Sequence, residues 1–137
     1  MSRGVCVYFV DRSLGSHLVA DALREAGARV EVHDHHYDQG CPDQEWLADV
    51  GSRGWVVLTK DRRIYYRQLE RLAVAEARVR MFVLTAGDLG GAQMATAFVR
   101  ALTAMERFAA THDPPFIATV SRDGGVRSWR TGDELRR

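Results

Sequence analysis

Lysine is almost absent: Lys60 is the only one, so arginine supplies nearly all of the 19 positive charges set against 18 carboxylates, for a net charge of +1. So even a balance excludes a strongly basic nucleic-acid coat protein, while leaving room for a local basic patch around an acidic centre. Cysteine is equally sparse. Cys6, inside a strand pattern, and Cys41, before a proline, make no disulfide framework and read as reduced thiols of a cytosolic protein. No apolar run is long enough to span a membrane, and the amino terminus has no signal-peptide pattern, so a cytoplasmic protein without a membrane partner is expected. Low-complexity linkers are also missing. The 137 residues amount to about one domain, 1–137, with a tail expected to fray from about Arg130.

What is present is an alternation of strand and helix patterns. Strands are expected over Val5–Val10, Ala28–His33, Trp55–Thr59 and Met81–Thr85. Between them lie helical patterns from Ser16 to Ala26, from Pro42 to about Val50 with a stop at Gly51 or Gly54, and around Leu69, Leu72, Ala73 and Glu76. The longest helix is expected from about Gly91 to Thr111. Its stripe of Met94, Phe98, Ala101, Leu102, Met105 and Phe108 has ordinary core spacing. Phe116–Val120 and Val126–Trp129, around Asp123-Gly124-Gly125, read as a terminal β-hairpin. The sum is an α/β fold: a mainly parallel sheet covered by helices on both faces.

Two of these strands each deliver a carboxylate with an arginine directly behind it. Val7-Tyr8-Phe9-Val10 runs into Asp11-Arg12-Ser13, and Val56-Val57-Leu58-Thr59 into Lys60-Asp61-Arg62-Arg63. Parallel sheets present functional groups beyond the carboxyl ends of their strands, and carboxylates gathered there repel unless a cation joins them. That points to a divalent metal, and without it repulsion should raise the pKa of at least one acid. A third acid comes from the helix after Pro42. If Trp46, Leu47 and Val50 form its buried face, Asp43 shares that face and Glu45 points away; the plainer alternative is that Asp43 only caps the helix. The ending Val83-Leu84-Thr85-Ala86-Gly87-Asp88 echoes that of the Asp61 strand and sets Thr59, Thr85 and Asp88 at one sheet edge. His33, His35, His36 and Cys41 have zinc-ligand chemistry but lack zinc-site spacing, so the segment reads as a loop where Asp34 or His36 reaches the site's surroundings.

The order Phe9-Val10-Asp11-Arg12-Ser13-Leu14, Pro42-Asp43-Gln44-Glu45-Trp46-Leu47 and Gly54-Trp55-Val56-Val57-Leu58-Thr59-Lys60-Asp61-Arg62-Arg63-Ile64 resembles the PIN-like domains of bacterial toxin-antitoxin systems, the VapC-like ribonucleases. The resemblance covers nearly the whole chain. It implies a three-layer PIN-like fold and an endoribonuclease dependent on Mg²⁺ or Mn²⁺, inhibited by a cognate antitoxin. Carried over, Asp11 and Asp61 match the strand-end acids, the middle acid falls on Asp43 or Glu45, and Asp88 is displaced from the position of a further one. Lys60, Arg62 and Arg63 would hold the RNA backbone, while Ser13 or Thr59 would orient a water or a phosphate oxygen. Tyr65 and Tyr66 would stack on unpaired bases, or else pack on a neighbouring helix or at a homodimer contact.

Two other classes compete. A phosphoacceptor receiver would use Asp11, Asp61 and Thr85, but it needs paired acids after the first strand and a lysine after the fifth, and this chain has neither. A degenerate PIN-like scaffold that binds RNA or protein without catalysis has no evident reason to concentrate acids.

Overall fold

The computed structural model describes residues 6–15 and 17–136; Val5 of the first expected strand and Ser16 of the first expected helix lie outside them. Strands β1 (Val7–Val10), β2 (Arg29–Val32), β3 (Val56–Thr59), β4 (Arg80–Leu84), β5 (Phe116–Val120) and β6 (Val126–Thr131) form one sheet in the order β2-β1-β3-β4-β5-β6. All neighbours pair in parallel except β5 and β6, the terminal hairpin, whose register shifts at Ile117/Ala118. Helices α1 (Leu18–Glu25), α2 (Asp43–Arg53), α3 (Gln68–Ala77) and α4 (Gly91–Thr111) fill the connections. Among the described residues no helix is long and apolar enough to cross a membrane.

Period-two alternation splits the strand side chains between two cores. Tyr8, Val10, Leu58, Phe82 and Leu84 face α1 and α4, where Leu23, Phe98 and Met105 are fully buried. Phe9, Val57, Met81 and Val83 face α2 and α3 through Trp46, Leu47, Val50 and Val74. The result is three layers. α2 ends at Gly54, whose φ of 71° is the left-handed conformation that suits glycine. A Cβ on Gly51 would run into the Ala77 carbonyl, so that glycine allows α2 and α3 to approach closely.

The segment expected to fray from about Arg130 carries regular structure. β6 continues to Thr131, a 3-10 turn covers Gly132–Arg136, and Leu135 is fully buried among the residues of the α2–α3 core. Glu134 Oε1 accepts from the Thr131 backbone N–H at 2.9 Å and its hydroxyl at 3.0 Å, fastening the turn. A lone leucine among charged residues carries no periodic signal.

Strand order positions the functional edge. The chain leaves β1 toward β2 on one side and returns as β3 on the other, so the sheet has its topological switch between β1 and β3. Crevices form beyond the strand ends at such a switch, because successive connections diverge to opposite faces. Asp11 and Asp61 flank it.

Candidate active site

Both strand-end acids cap a short turn. Asp11 precedes a 3-10 turn over Arg12–Leu14 and Asp61 one over Arg62–Tyr65; each carboxylate accepts from the backbone N–H two residues on, Ser13 at 3.4 Å and Arg63 at 3.0 Å. The Asp11 N–H bonds the Leu58 carbonyl at 3.0 Å, which ties the first loop to β3.

Asp11 sits in a hydroxyl clamp. Its Oδ2 accepts from Ser13 Oγ at 2.8 Å and Thr59 Oγ1 at 2.9 Å, and those hydroxyls in turn accept the backbone N–H groups of Lys60 and Asp61, each at 3.1 Å. Each hydroxyl has one proton and has given it to Asp11. The 3.1 Å approach of Ser13 Oγ to Thr59 Oγ1 is therefore a packing consequence of sharing one carboxylate oxygen. Ser13 and Thr59 thus lock the two loops together, a duty that competes with the expected orientation of a water or phosphate. Among the described residues every hydrogen bond to the Asp11 carboxylate falls on Oδ2.

Asp43 does not cap α2 through its side chain; Oδ1 accepts from Trp46 Nε1 at 2.9 Å. Together Asp11, Asp43 and Asp61 line a pocket of about 330 Å³ with Ser13, Thr59, Arg12 and Arg63, over a wall of Trp46, Leu47, Ile64 and Met81. A fourth acid lines it as well: Glu70, in the first turn of α3. The sequence reading missed it. The apolar pattern of this helix includes Leu69, yet Leu69 is 73% exposed and Val74 is buried. The i, i+4 relation of Glu70 to Val74 was the signal that could have found it.

The charges of these acids diverge. Arg63 holds Asp61 by Nε at 2.9 Å and by Nη2 at 2.5 Å, and this charged hydrogen bonding lowers the Asp61 pKa and raises that of Arg63. The expected upward shift therefore does not fall on Asp61. A raised pKa is found instead at Glu70, an acid outside the expected set, pushed up first by burial and then by the negative charge of Asp61, with Asp43 adding to it. Among the described residues, no group of three or more His, Cys, Asp or Glu side chains is arranged to hold a metal ion.

The remaining expected residues lie outside this pocket. Glu45 is exposed and lines a separate hollow of about 630 Å³ with Asp34, His35, His36 and Cys41. His36 Nε2 pairs with Glu31 at 2.7 Å, and His33 is fully buried against Phe9, Tyr37 and Trp46 with Nδ1 3.4 Å from Asp34. This is core and surface work. Arg62 donates to the Thr85 carbonyl, Thr85 Oγ1 donates to the Val120 carbonyl at 3.3 Å, and Asp88 is exposed. Neither Thr85 nor Asp88 reaches the acids' pocket wall, and nor do the side chains of Lys60 and Arg62. Tyr65 packs edge-on against Trp129 with ring centroids 4.8 Å apart, whereas Tyr66 is 71% exposed.

A parallel α/β sheet whose switch point opens into a pocket walled by carboxylates defines a class of domain built for polar chemistry at its strand ends. The chain belongs to the PIN-like domain family, whose profile, described as "PIN like domain", matches residues 6–86. It is also 36% identical over 123 residues to the "Putative ribonuclease VapC45" of Mycobacterium tuberculosis (strain ATCC 25618 / H37Rv), covering 87% of this chain and 88% of that protein. No solved structure matches the chain.

Proposed function

We propose that the chain is a metal-dependent endoribonuclease, the toxin of a toxin-antitoxin pair, hydrolysing RNA phosphodiesters in the bacterial cytoplasm. The observation that carries this reading is that Asp11, Asp43, Asp61 and Glu70 line one pocket at the switch point. The ribonuclease name of the relative supports it.

The donor set suits a hard cation. The clamp on Asp11 uses only Oδ2, and Glu70, raised first by burial and then by the charge of Asp61, would share the negative wall that a bound cation offsets. Asp11, Asp43 and Asp61 would hold Mg²⁺ or Mn²⁺, with Glu70 beside them. When bound, such an ion activates a water and neutralises a phosphate oxygen. The chain's own residues do the rest: Ser13 and Thr59 hold Asp11 in place, and Trp46 Nε1 orients Asp43. Glu70 lines the same pocket and pairs with Arg67 at 3.4 Å, which sets an arginine beside the acids. Arg63 at the pocket, flanked by Lys60, Arg62 and Arg67 in sequence, would take the backbone phosphates of a single strand.

A second reading, a PIN-like scaffold that binds RNA or an antitoxin without cutting, is favoured by one observation: Arg63 occupies both oxygens of Asp61. Purified protein separates the two. The nuclease cuts single-stranded RNA in Mg²⁺ or Mn²⁺ and stops in EDTA. Asp61→Asn, which keeps the shape and loses the ligand charge, should be inactive and be tolerated in cells that wild type arrests unless its antitoxin is co-expressed. Absence of cleavage with intact RNA binding in both proteins would establish the scaffold instead.

A further inference from the structure

Arg63 reaches Asp61 with three separate N–H groups. The backbone N–H and Nε bond Oδ1 at 3.0 and 2.9 Å, and Nε and Nη2 bond Oδ2 at 2.9 and 2.5 Å. One arginine, two positions further along the chain, thus occupies both oxygens of the carboxylate. The backbone part of this grip belongs to the 3-10 turn. The side-chain part is only partly covered, with Arg63 46% exposed and Asp61 26%, so it can open without disturbing either core.

A carboxylate oxygen engaged by a guanidinium in its plane has little left for a hard cation, and the arginine's charge repels that cation as well. The same planar fork fits phosphate as well as it fits carboxylate. We propose that Arg63 is a positioning residue that couples substrate to cation: a backbone phosphate at the pocket mouth draws the guanidinium off Asp61 and leaves that carboxylate to the divalent ion. This rests on the nuclease reading above.

The electrostatics of the pocket give the coupling its sign. With Arg63 withdrawn, Asp61 faces Glu70 and Asp43 with only the more distant Arg67, itself paired with Glu70 at 3.4 Å, as counter-charge, so the wall gains affinity for a cation. A phosphate favours the withdrawn arginine and a cation favours the released carboxylate. Both ligands select the same arrangement, so each must strengthen the other by the same factor. The consequence is a site that binds its ion weakly until an RNA strand is present.

Titration calorimetry of Mn²⁺ into the full chain tests this, with and without a single-stranded DNA oligonucleotide as a phosphate ladder lacking the 2′-hydroxyl. The oligonucleotide should tighten Mn²⁺ binding to wild type by about tenfold, within the usual range of coupling. Arg63→Gln should bind Mn²⁺ about tenfold tighter than wild type without oligonucleotide and gain nothing more when it is added. Arg63→Lys, which keeps the charge but not the planar fork, should fall between the two and serves as the test if the glutamine variant does not fold. Binding by Arg63→Gln that is no tighter than wild type, or an undiminished oligonucleotide effect in either variant, would overturn the coupling. Asp61→Asn separates the two proposals. If it binds Mn²⁺ as well as wild type, the metal reading itself fails; if it loses binding while Arg63→Gln matches wild type, only the coupling fails.

Discussion

Asp61 and Glu70 line the same pocket, yet their surroundings push them in opposite directions. Arg63 lowers the folded pKa of Asp61 below 3.8, so the unfolded chain binds the proton more readily there. The stability from this pair is therefore present above 3.8 and is lost as the pH falls through the lower folded value. Arg63→Gln should cost up to about 1 kcal/mol in urea melts at neutral pH, because the pair is partly exposed, and the difference from wild type should close in acid. Glu70 has the reverse sign. Its folded pKa is raised above 4.5, so the stability linked to its proton is full below 4.5 and disappears as the pH rises through the folded value. Glu70→Gln should accordingly raise the melting temperature at neutral pH while reducing RNA cleavage. At this scale the sequence showed Asp11 and Asp61, because a strand ending in an acid is visible in four or five consecutive residues. It hid Glu70, because the exposed Leu69 suggested the wrong face of α3.

The elements were legible wherever periodicity was sustained. The helix expected from about Gly91 to Thr111 is α4, and the hairpin around Asp123-Gly124-Gly125 is β5 and β6. Short turns were not. The 3-10 turns after Asp11 and Asp61 contain three and four residues, too few for a period to register. The carboxyl-terminal turn gives the sharpest test, since everything rests on one buried leucine. Leu135→Ala should lower stability by about 2–5 kcal/mol, as for other large-to-small core substitutions, with a matching fall in the melting temperature. A frayed tail would instead show a change within about 0.5 kcal/mol.

For the molecule as a whole, a net charge of +1 means that the RNA of the proposed reaction would have to be held by local charge rather than by a general field. If Lys60, Arg62, Arg63 and Arg67 make the phosphate contacts, the log–log slope of RNA affinity against salt should be about −2 to −3, measured by fluorescence anisotropy on Asp61→Asn. A much steeper slope would place the RNA on the distal arginines. Millimolar Mn²⁺ should also raise the melting temperature of wild type more than that of Asp61→Asn, since an ion that binds only the folded chain stabilises it. The sequence by itself determined the alternation of strands and helices, the two apolar faces of the sheet, and the delivery of Asp11 and Asp61 to strand ends. Those features follow from side-chain periodicity, a local property read over a few residues. Only the tertiary structure decided that β1 lies beside β3, that Ser13 and Thr59 spend their protons on Asp11, that Glu70 joins the pocket while Thr85 and Asp88 do not, and that Arg63 closes on Asp61. Strand order and rotamers are settled by packing between segments distant in the chain, and no local pattern encodes them.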